Sequence, residues 1–192
     1  MSESFVDKRP VIVAIAGPNG AGKTTFFHAH FRDAGLRFVN ADAFGHDLNL
    51  PGYDAAMVAG EVRRELVRQR QNFAFETVFS DPVGEKLAFL VEAVAKGYNV
   101  MLCFIGISAP ETCDERVAMR VSQGGHDVPS DKLVTRFPRV LANLKAAIRA
   151  LPLVLVFDNE NLAVPFRQVM EIRNSEVVFR AEPIQDWLRR AL

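Results

Sequence analysis

A three-layer α/β/α sandwich around a five-stranded, mainly parallel sheet is the fold this sequence predicts, on three observations. Apolar runs bounded by turn residues recur with helical segments between them, the pattern of a parallel sheet covered on both faces. The first run, Val11-Ile12-Val13-Ala14-Ile15-Ala16, leads directly into Gly17-Pro18-Asn19-Gly20-Ala21-Gly22-Lys23-Thr24-Thr25, which satisfies the phosphate-binding pattern Gly-x-x-x-x-Gly-Lys-Thr. A helix start, Thr24 to Phe31, comes next. Strand, glycine loop and helix thus follow in the order that a P-loop NTPase sandwich requires.

The strands expected are Val11 to Ala16, Arg37 to Asn40, Asn72 to Val78, Asn99 to Ile107 and Leu153 to Phe157. Asp54 to Gln69 is expected as a helix with Val58, Val62 and Leu66 along one face. Val83 to Lys96 is another, closed by Gly97 as a C-cap. Ser108, with Glu111 three residues on and Pro110 in the first turn, forms a capping-box pattern that starts a helix running to about Val121. The stretch from Gln123 to Pro129 cannot continue a helix; Ser130 caps the next one, through Ile148, with a kink at Pro138. Val169 to Ile172 and Glu176 to Phe179, around Asn174-Ser175, form a small C-terminal hairpin, and a short helix carries Trp187. With no repeat or linker, residues 1–192 are expected to form a single P-loop domain with a helical lid at about 116–139.

Lysine plus arginine balances aspartate plus glutamate at 23 each over 192 residues, so no global field draws the chain to DNA, RNA or an anionic membrane. Nucleic acid and membrane are therefore not expected partners. No apolar stretch approaches membrane-spanning length and the N-terminus lacks a secretory pattern, so a cytoplasmic location is expected. Cys103, in a predicted strand, and Cys113, on a predicted helix, are too few and wrongly spaced for a zinc site or disulfide framework.

The loop defines a site for ATP. Glycines Gly17, Gly20 and Gly22 let backbone N–H groups converge on phosphate oxygens, Pro18, Asn19, Ala21 and Thr25 complete the turn, Lys23 reaches the β/γ-phosphates, and Thr24 offers a hydroxyl to Mg²⁺. Ligands of open parallel sheets bind outside the carboxyl ends of strands. Asp42, directly after the second strand, is placed there to accept a proton from a substrate hydroxyl, or else to cap the next segment. Glu76 is a lone acid among apolar residues, an expensive position unless a cation or hydrogen bond compensates it. It faces Mg²⁺ through water, binds the acceptor with Thr77 and Ser80, or forms an ion pair. Asp158 marks either the adenine rim or a turn.

Phosphoryl transfer needs cations beyond the loop lysine, each arginine in that role being worth about 10³ to 10⁵ in rate. Arg116 and Arg120 share a helix face leading into Gly124-Gly125, and Arg136 and Arg139 return on the far side. Glycine hinges there suit a helical hairpin that closes over ATP and excludes water. His126 contacts substrate or shapes the lid turn. The cluster Arg63, Arg64, Arg68 and Arg70 shares its helix with Glu61 and Glu65 and is expected to be a solvated outer face.

These residues together resemble the zeta toxin family of P-loop kinases, in particular its short bacterial members. The resemblance rests on Gly17 to Thr25, Asn40 to Phe44, Phe75-Glu76-Thr77, Arg116 to Pro129 with its Gly-Gly-His-x-Val-Pro segment, Arg136 to Arg139, and Asn143-Leu144. It implies an ATP- and Mg²⁺-dependent kinase acting on a hydroxyl of a small acceptor, in the better-known toxins the sugar of UDP-N-acetylglucosamine. It implies that Lys23 holds ATP phosphates, with Arg116 beside them. Asp42 is then the base, Glu76 and Thr77 lie near the acceptor, and Arg120 and Arg136 are the transition-state arginines. It also allows an antitoxin-like protein partner. Ser80 stands where those toxins tend to have an arginine. Two other readings fit the same loop: a nucleotide-dependent regulatory switch without an acceptor, and a nucleoside- or nucleotide-kinase-like phosphotransferase.

Overall fold

The computed structural model describes residue 5, residues 9–122 and residues 128–192, with the backbone alone at Arg120. His126 lies outside the described residues. Five strands appear where the apolar runs predict them: β1 (Val11–Ala16), β2 (Arg37–Val39), β3 (Phe73–Thr77), β4 (Asn99–Gly106) and β5 (Leu153–Asp158). They pair in parallel in the order β2-β3-β1-β4-β5.

The C-terminal hairpin is a correction to the expected sheet. Its strands, β6 (Arg167–Arg173) and β7 (Glu176–Arg180), join antiparallel at β5, so the sheet has seven strands rather than five. Asn174 and Ser175 both adopt positive φ, 48° and 68°, the two-residue hairpin turn whose twist matches its strands.

Side-chain alternation divides the core into two layers. Val13, Ile15, Cys103, Ile105 and Leu155 face α1 (Lys23–His30), packing on Phe26 and Phe27. Ile12, Ala14, Phe75, Leu102 and Val156 face the other way. That second layer is covered by α3 (Gly52–Arg68), α4 (Glu85–Ala95), α6 (Ser130–Ala150) and α7 (Asp186–Ala191), through Leu66, Leu90, Leu144 and Trp187 among others. The element between β2 and α3, α2 (Ala41–Asp47), is a helix that periodicity does not predict. A third, smaller cluster joins α5 (Pro110–Ser122) to α6 through Ile107, Cys113, Val117, Leu133 and Phe137.

Several local expectations take a different form. Helix α3, which packs on both α2 and β2, buries Ala55, Ala59, Leu66 and Val67 rather than a strict 58/62/66 stripe. Ser108 does not pair with Glu111: its N–H donates to Glu160 Oε2 at 2.8 Å, and Thr112 Oγ1 reaches the other oxygen at 3.3 Å. Ser130 is the first residue of α6 rather than its cap, and its hydroxyl donates to Asp114 Oδ1 at 2.8 Å, tying α6 to α5. Gly97 (φ 82°) does close α4. Its N–H bonds Val94 O and that of Tyr98 bonds Ala93 O, a Schellman ending.

Asp158 is a strand residue rather than a turn residue, and is not among the residues that line the cleft at the glycine loop. It ends β5, is 8% exposed, and accepts a 3.1 Å hydrogen bond from Trp187 Nε1. The indole ring lies on Gly106, where an added Cβ would come within 2.1 Å of Trp187 Cη2. Gly106→Ala is therefore expected to push α7 off the sheet and cost about 1–3 kcal/mol, measured by urea unfolding, with the sole tryptophan reporting the displacement as a red-shifted emission.

Burial pushes the Asp158 carboxyl above its ordinary value of 3.8, with the Trp187 hydrogen bond opposing. The folded state then holds that proton more tightly than the unfolded chain, so this contribution to stability is full below pH 3.8 and is lost as pH rises through the elevated value. Asp158→Asn keeps the acceptor oxygen and removes the charge. Melting temperatures from pH 3.5 to 7 are expected to show a shallower decline above about pH 4 in the variant than in the parent.

Candidate active site

The loop after β1 is held by close contacts that admit only glycine. Gly17 (φ 147°) passes over β4 so tightly that a Cβ would sit 2.1 Å from Ile105 O. Gly20 (φ 75°) meets α5, with Arg116 Cβ at 3.0 Å and Cys113 O at 3.1 Å from the position a Cβ would take. Gly22 (φ 88°) is the N-cap of α1 and supplies no side-chain cap. The first-turn N–H groups of α1 are thus left by the cap to face a ligand, with no acidic residue in that turn to oppose an anion. Lys23 is buried, 9% exposed, and its Nζ donates to Pro18 O at 2.9 Å, which holds the ammonium over the loop.

Parallel pairing places β3 beside β1 with Glu76 opposite Ile15. Glu76 therefore shares the α1 side of the sheet, and Thr24 Oγ1 donates to Glu76 Oε2 at 2.7 Å. That bond compensates the acid in its apolar strand. On the next strand, Asn40 rather than Asp42 is the cap of α2: Asn40 Oδ1 accepts from the Asp42 N–H at 2.8 Å. Asp42 lies in the first turn, where the helix dipole favours a carboxylate.

These elements enclose a cleft of about 340 Å³. Asn19, Gly20, Gly22, Lys23, Thr24 and Thr25 line it from the loop and α1; Asp42, Glu76 and Thr77 line it from the strand ends; Arg116 lines it from α5. Gly17 and Ala21 lie fully buried beneath the loop surface. Ser80 and Arg136, both half-buried, are not among the lining residues. The Arg120 side chain and His126 fall outside what the structure describes.

Two asparagines hold this arrangement, Asn159, which sequence reasoning did not select, and Asn143, which entered only as part of the family resemblance. Asn159, 3% exposed, follows β5 and clamps three segments. Its Nδ2 donates to Ala21 O at 2.9 Å, its Oδ1 accepts from Phe166 N at 3.2 Å, and its own N–H bonds Gly106 O. Its position just beyond a buried parallel strand was the available signal, one residue past Asp158. Asn143 of α6 donates to Phe79 O and Asp81 O, at 2.9 and 3.0 Å, fixing the loop that follows Glu76 and Thr77. Arg116 is held by Glu160, its Nη2 donating to that carbonyl at 3.0 Å.

The sequence profile described as Zeta toxin matches residues 49–170, more than half of the chain. The chain belongs to the zeta toxin family. The match takes in Glu76, Thr77 and Arg116 to Arg139 and begins after the P-loop, whose motif stands on its own residues. No curated protein matches the chain. Among solved structures, AvrRxo1-ORF1:-ORF2 with ATP superposes with a TM-score of 0.71 at 16% identity, covering 91% of this chain and 64% of that one. The PezAT toxin–antitoxin system of Streptococcus pneumoniae gives 0.58 at 17% identity, covering 96% and 77%. A gluconokinase from Sinorhizobium meliloti gives 0.51 at 16%, covering 96% and 91%. These likenesses establish a shared P-loop α/β fold, and the zeta toxin chain spans about two thirds of the AvrRxo1 chain's length.

Asn159→Ala is expected to leave Ala21 O and Phe166 N without partners, costing about 1–3 kcal/mol in urea unfolding. It should also weaken ATP binding in calorimetric titration, since the loop loses its brace.

Proposed function

We propose that this zeta toxin family member is an ATP-dependent kinase that moves the γ-phosphate to a hydroxyl of a small acceptor of the nucleotide-sugar class, such as UDP-N-acetylglucosamine. The observation that carries the reading is the gathering of Lys23, Thr24, Asp42, Glu76 and Arg116, from four separate elements, around one cleft. A nucleotide switch uses one strand-end carboxylate for Mg²⁺, but has no acceptor to deprotonate and so no need of a second acid such as Asp42 beside Glu76.

In this reading the α1 N-terminus and Lys23 bind the ATP phosphates, with Arg116 beside them. Thr24 Oγ1 and Glu76 Oε2, 2.7 Å apart, are hard oxygen donors of the kind that suit Mg²⁺. Among the described residues no group of three or more His, Cys, Asp or Glu could hold a metal, which fits an ion shared with phosphate and water. When bound it supplies charge neutralisation at the triphosphate. Asp42 takes the proton of the acceptor hydroxyl as that oxygen bonds to the γ-phosphorus and the bond to the β,γ-bridging oxygen breaks, releasing ADP. Glu76, Thr77 and Ser80 orient the acceptor. Arg120 and Arg136, with the 116–139 hairpin and His126, close over the moving group and exclude water.

The family and its structural neighbours support this reading: one neighbour was solved with ATP and one is a gluconokinase. AvrRxo1-ORF1 pairs with ORF2 and PezAT is a toxin–antitoxin system, so an antitoxin-like protein partner belongs to the proposal. No helix among the described residues is long and apolar enough to cross a membrane, in keeping with a cytoplasmic site of action.

The test is acceptor-dependent ADP release across nucleotide sugars, nucleosides and simple sugars. Asp42→Asn is expected to lower that release by about 10²- to 10⁴-fold with ATP binding retained, whereas Lys23→Ala should impair ATP binding itself. If no acceptor raises ADP release above slow hydrolysis, the kinase reading yields to the switch.

A further inference from the structure

The arginine cluster of α3 is not the evenly solvated face its charge pattern predicts. Arg63 turns inward, and its guanidinium lies 4.9 Å from the Phe75 ring centroid and 5.8 Å from that of Phe89. Arg64 and Arg68, by contrast, stay exposed and pair with Glu61 and Glu65. Among the described residues no acceptor takes a hydrogen bond from the Arg63 guanidinium and no carboxylate lies within 4 Å of it. Burial, with Arg64 nearby, pulls its pKa down to about 10, and the neighbouring Glu85 opposes this. Arg63 is half-buried, its flat face over the two rings, and its N–H donors are left to the solvent or to a ligand in the groove it lines.

This guanidinium lines a groove of about 370 Å³ between α3 and α4 that shares no residue with the nucleotide cleft. Gly60 opens its wall: a Cβ there would point toward Arg63 Nη2 at 3.7 Å and Arg64 Nη1 at 3.9 Å, so two guanidinium groups converge on space that any longer side chain would fill. Glycine inside a helix is intrinsically unfavourable, and at this position its absence of side chain keeps the groove open. The rim adds Arg68, Lys86 and Lys96. Of the acids that pair with these cations, Glu85 and Glu92 line the groove as well, while Glu61 and Glu65 do not; the pairs are largely exposed, contacts weak enough for a ligand to exchange.

We infer that the α3–α4 groove is a second binding site, for a small molecule bearing a phosphate or diphosphate group, seated on Arg63 and drawing Arg64 away from Glu85. The volume is that of a small-molecule pocket rather than a protein interface. Paired, planar guanidinium forks match phosphate oxygens in a way that point charges do not. The inference goes beyond the kinase reading and stands whether or not the P-loop cleft transfers phosphate.

Inorganic pyrophosphate is the probe, titrated calorimetrically into the full chain, with circular dichroism to check folding. Wild type is expected to show two sites, of which Lys23→Ala removes only the P-loop one. Arg63→Ala and Gly60→Leu should each weaken the other at least tenfold and leave the P-loop site intact; leucine favours the helix while filling the groove. A single site that disappears with Lys23→Ala overturns the inference. So does a second site that survives in Gly60→Leu, whatever Arg63→Ala does to folding.

Discussion

The contact between Gly17 and the carbonyl of Ile105 decides where everything else in this site sits. At 2.1 Å from that oxygen no side-chain carbon fits, so the chain leaves β1 by crossing directly over the end of β4. It then turns back against α5 at Gly20 and against Asn159 at Gly22, where a Cβ would lie 2.9 Å from Asn159 Nδ2. Each glycine therefore has a packing reason besides its positive φ. The loop is wedged by β4, α5 and the end of β5, and its free side is the one that faces the cleft. The position is also a topological switch: from β1 the chain goes to β2 and β3 on one side and later to β4 on the other, which leaves a crevice at the strand ends.

Given that wedge, strand register supplies the chemistry. Glu76 stands opposite Ile15, and both face α1; Phe75, one residue earlier, faces the opposite layer. A slip of one residue would send the carboxylate into the Leu90–Leu102 layer and a phenylalanine toward Thr24. The buried pairs on both faces of β3 prevent it. Asp42 arrives by a different device, a side-chain cap at Asn40 that starts α2 where β2 ends. A barely three-residue strand thus delivers its acid to the cleft by helix capping rather than by sheet pairing.

The fold's centre was legible because it is written in short-range pattern: a six-residue β-branched run, a glycine loop whose spacing is dictated by phosphate geometry, and Gly97 at a Schellman ending. What was not legible depends on distant partners. Ser108 and Glu111 match a capping box, yet Glu160, 52 residues away, takes the Ser108 N–H. The hairpin at Asn174-Ser175 was visible, but nothing in it says that β5 accepts it as a sheet neighbour. Helix α2 has only seven residues with Gly45 inside it, too short for a period to show. Arg63 looked solvated because charge pattern along one helix cannot see Phe89 on another. Among the residues that line the cleft, Lys23, Thr24, Asp42 and Glu76 were singled out by motif and strand ends and Arg116 by helix spacing, whereas the bonds of Asn143 and Asn159 to distant backbone were not legible, since an amide carries no sign of its partner.

The helices around residues 116–139 have a core of their own. Ile107, Cys113, Val117, Leu133 and Phe137 cluster apart from both faces of the sheet, with Leu141 as the residue that also touches the main layer. The Ser130–Asp114 bond fastens the first residue of α6 to the N-terminal half of α5. Helix α6 belongs to two cores at once: Leu133 and Phe137 pack on α5, whereas Val140, Leu144 and Ala147 pack in the layer on the sheet. Arg116 sits at its base, fixed to the Glu160 carbonyl and already lining the cleft, while Arg136 sits on the far helix outside the lining. In the kinase proposed above, the charge that serves the triphosphate is thus divided between Arg116, anchored beside the loop, and Arg136, which has still to be brought to it.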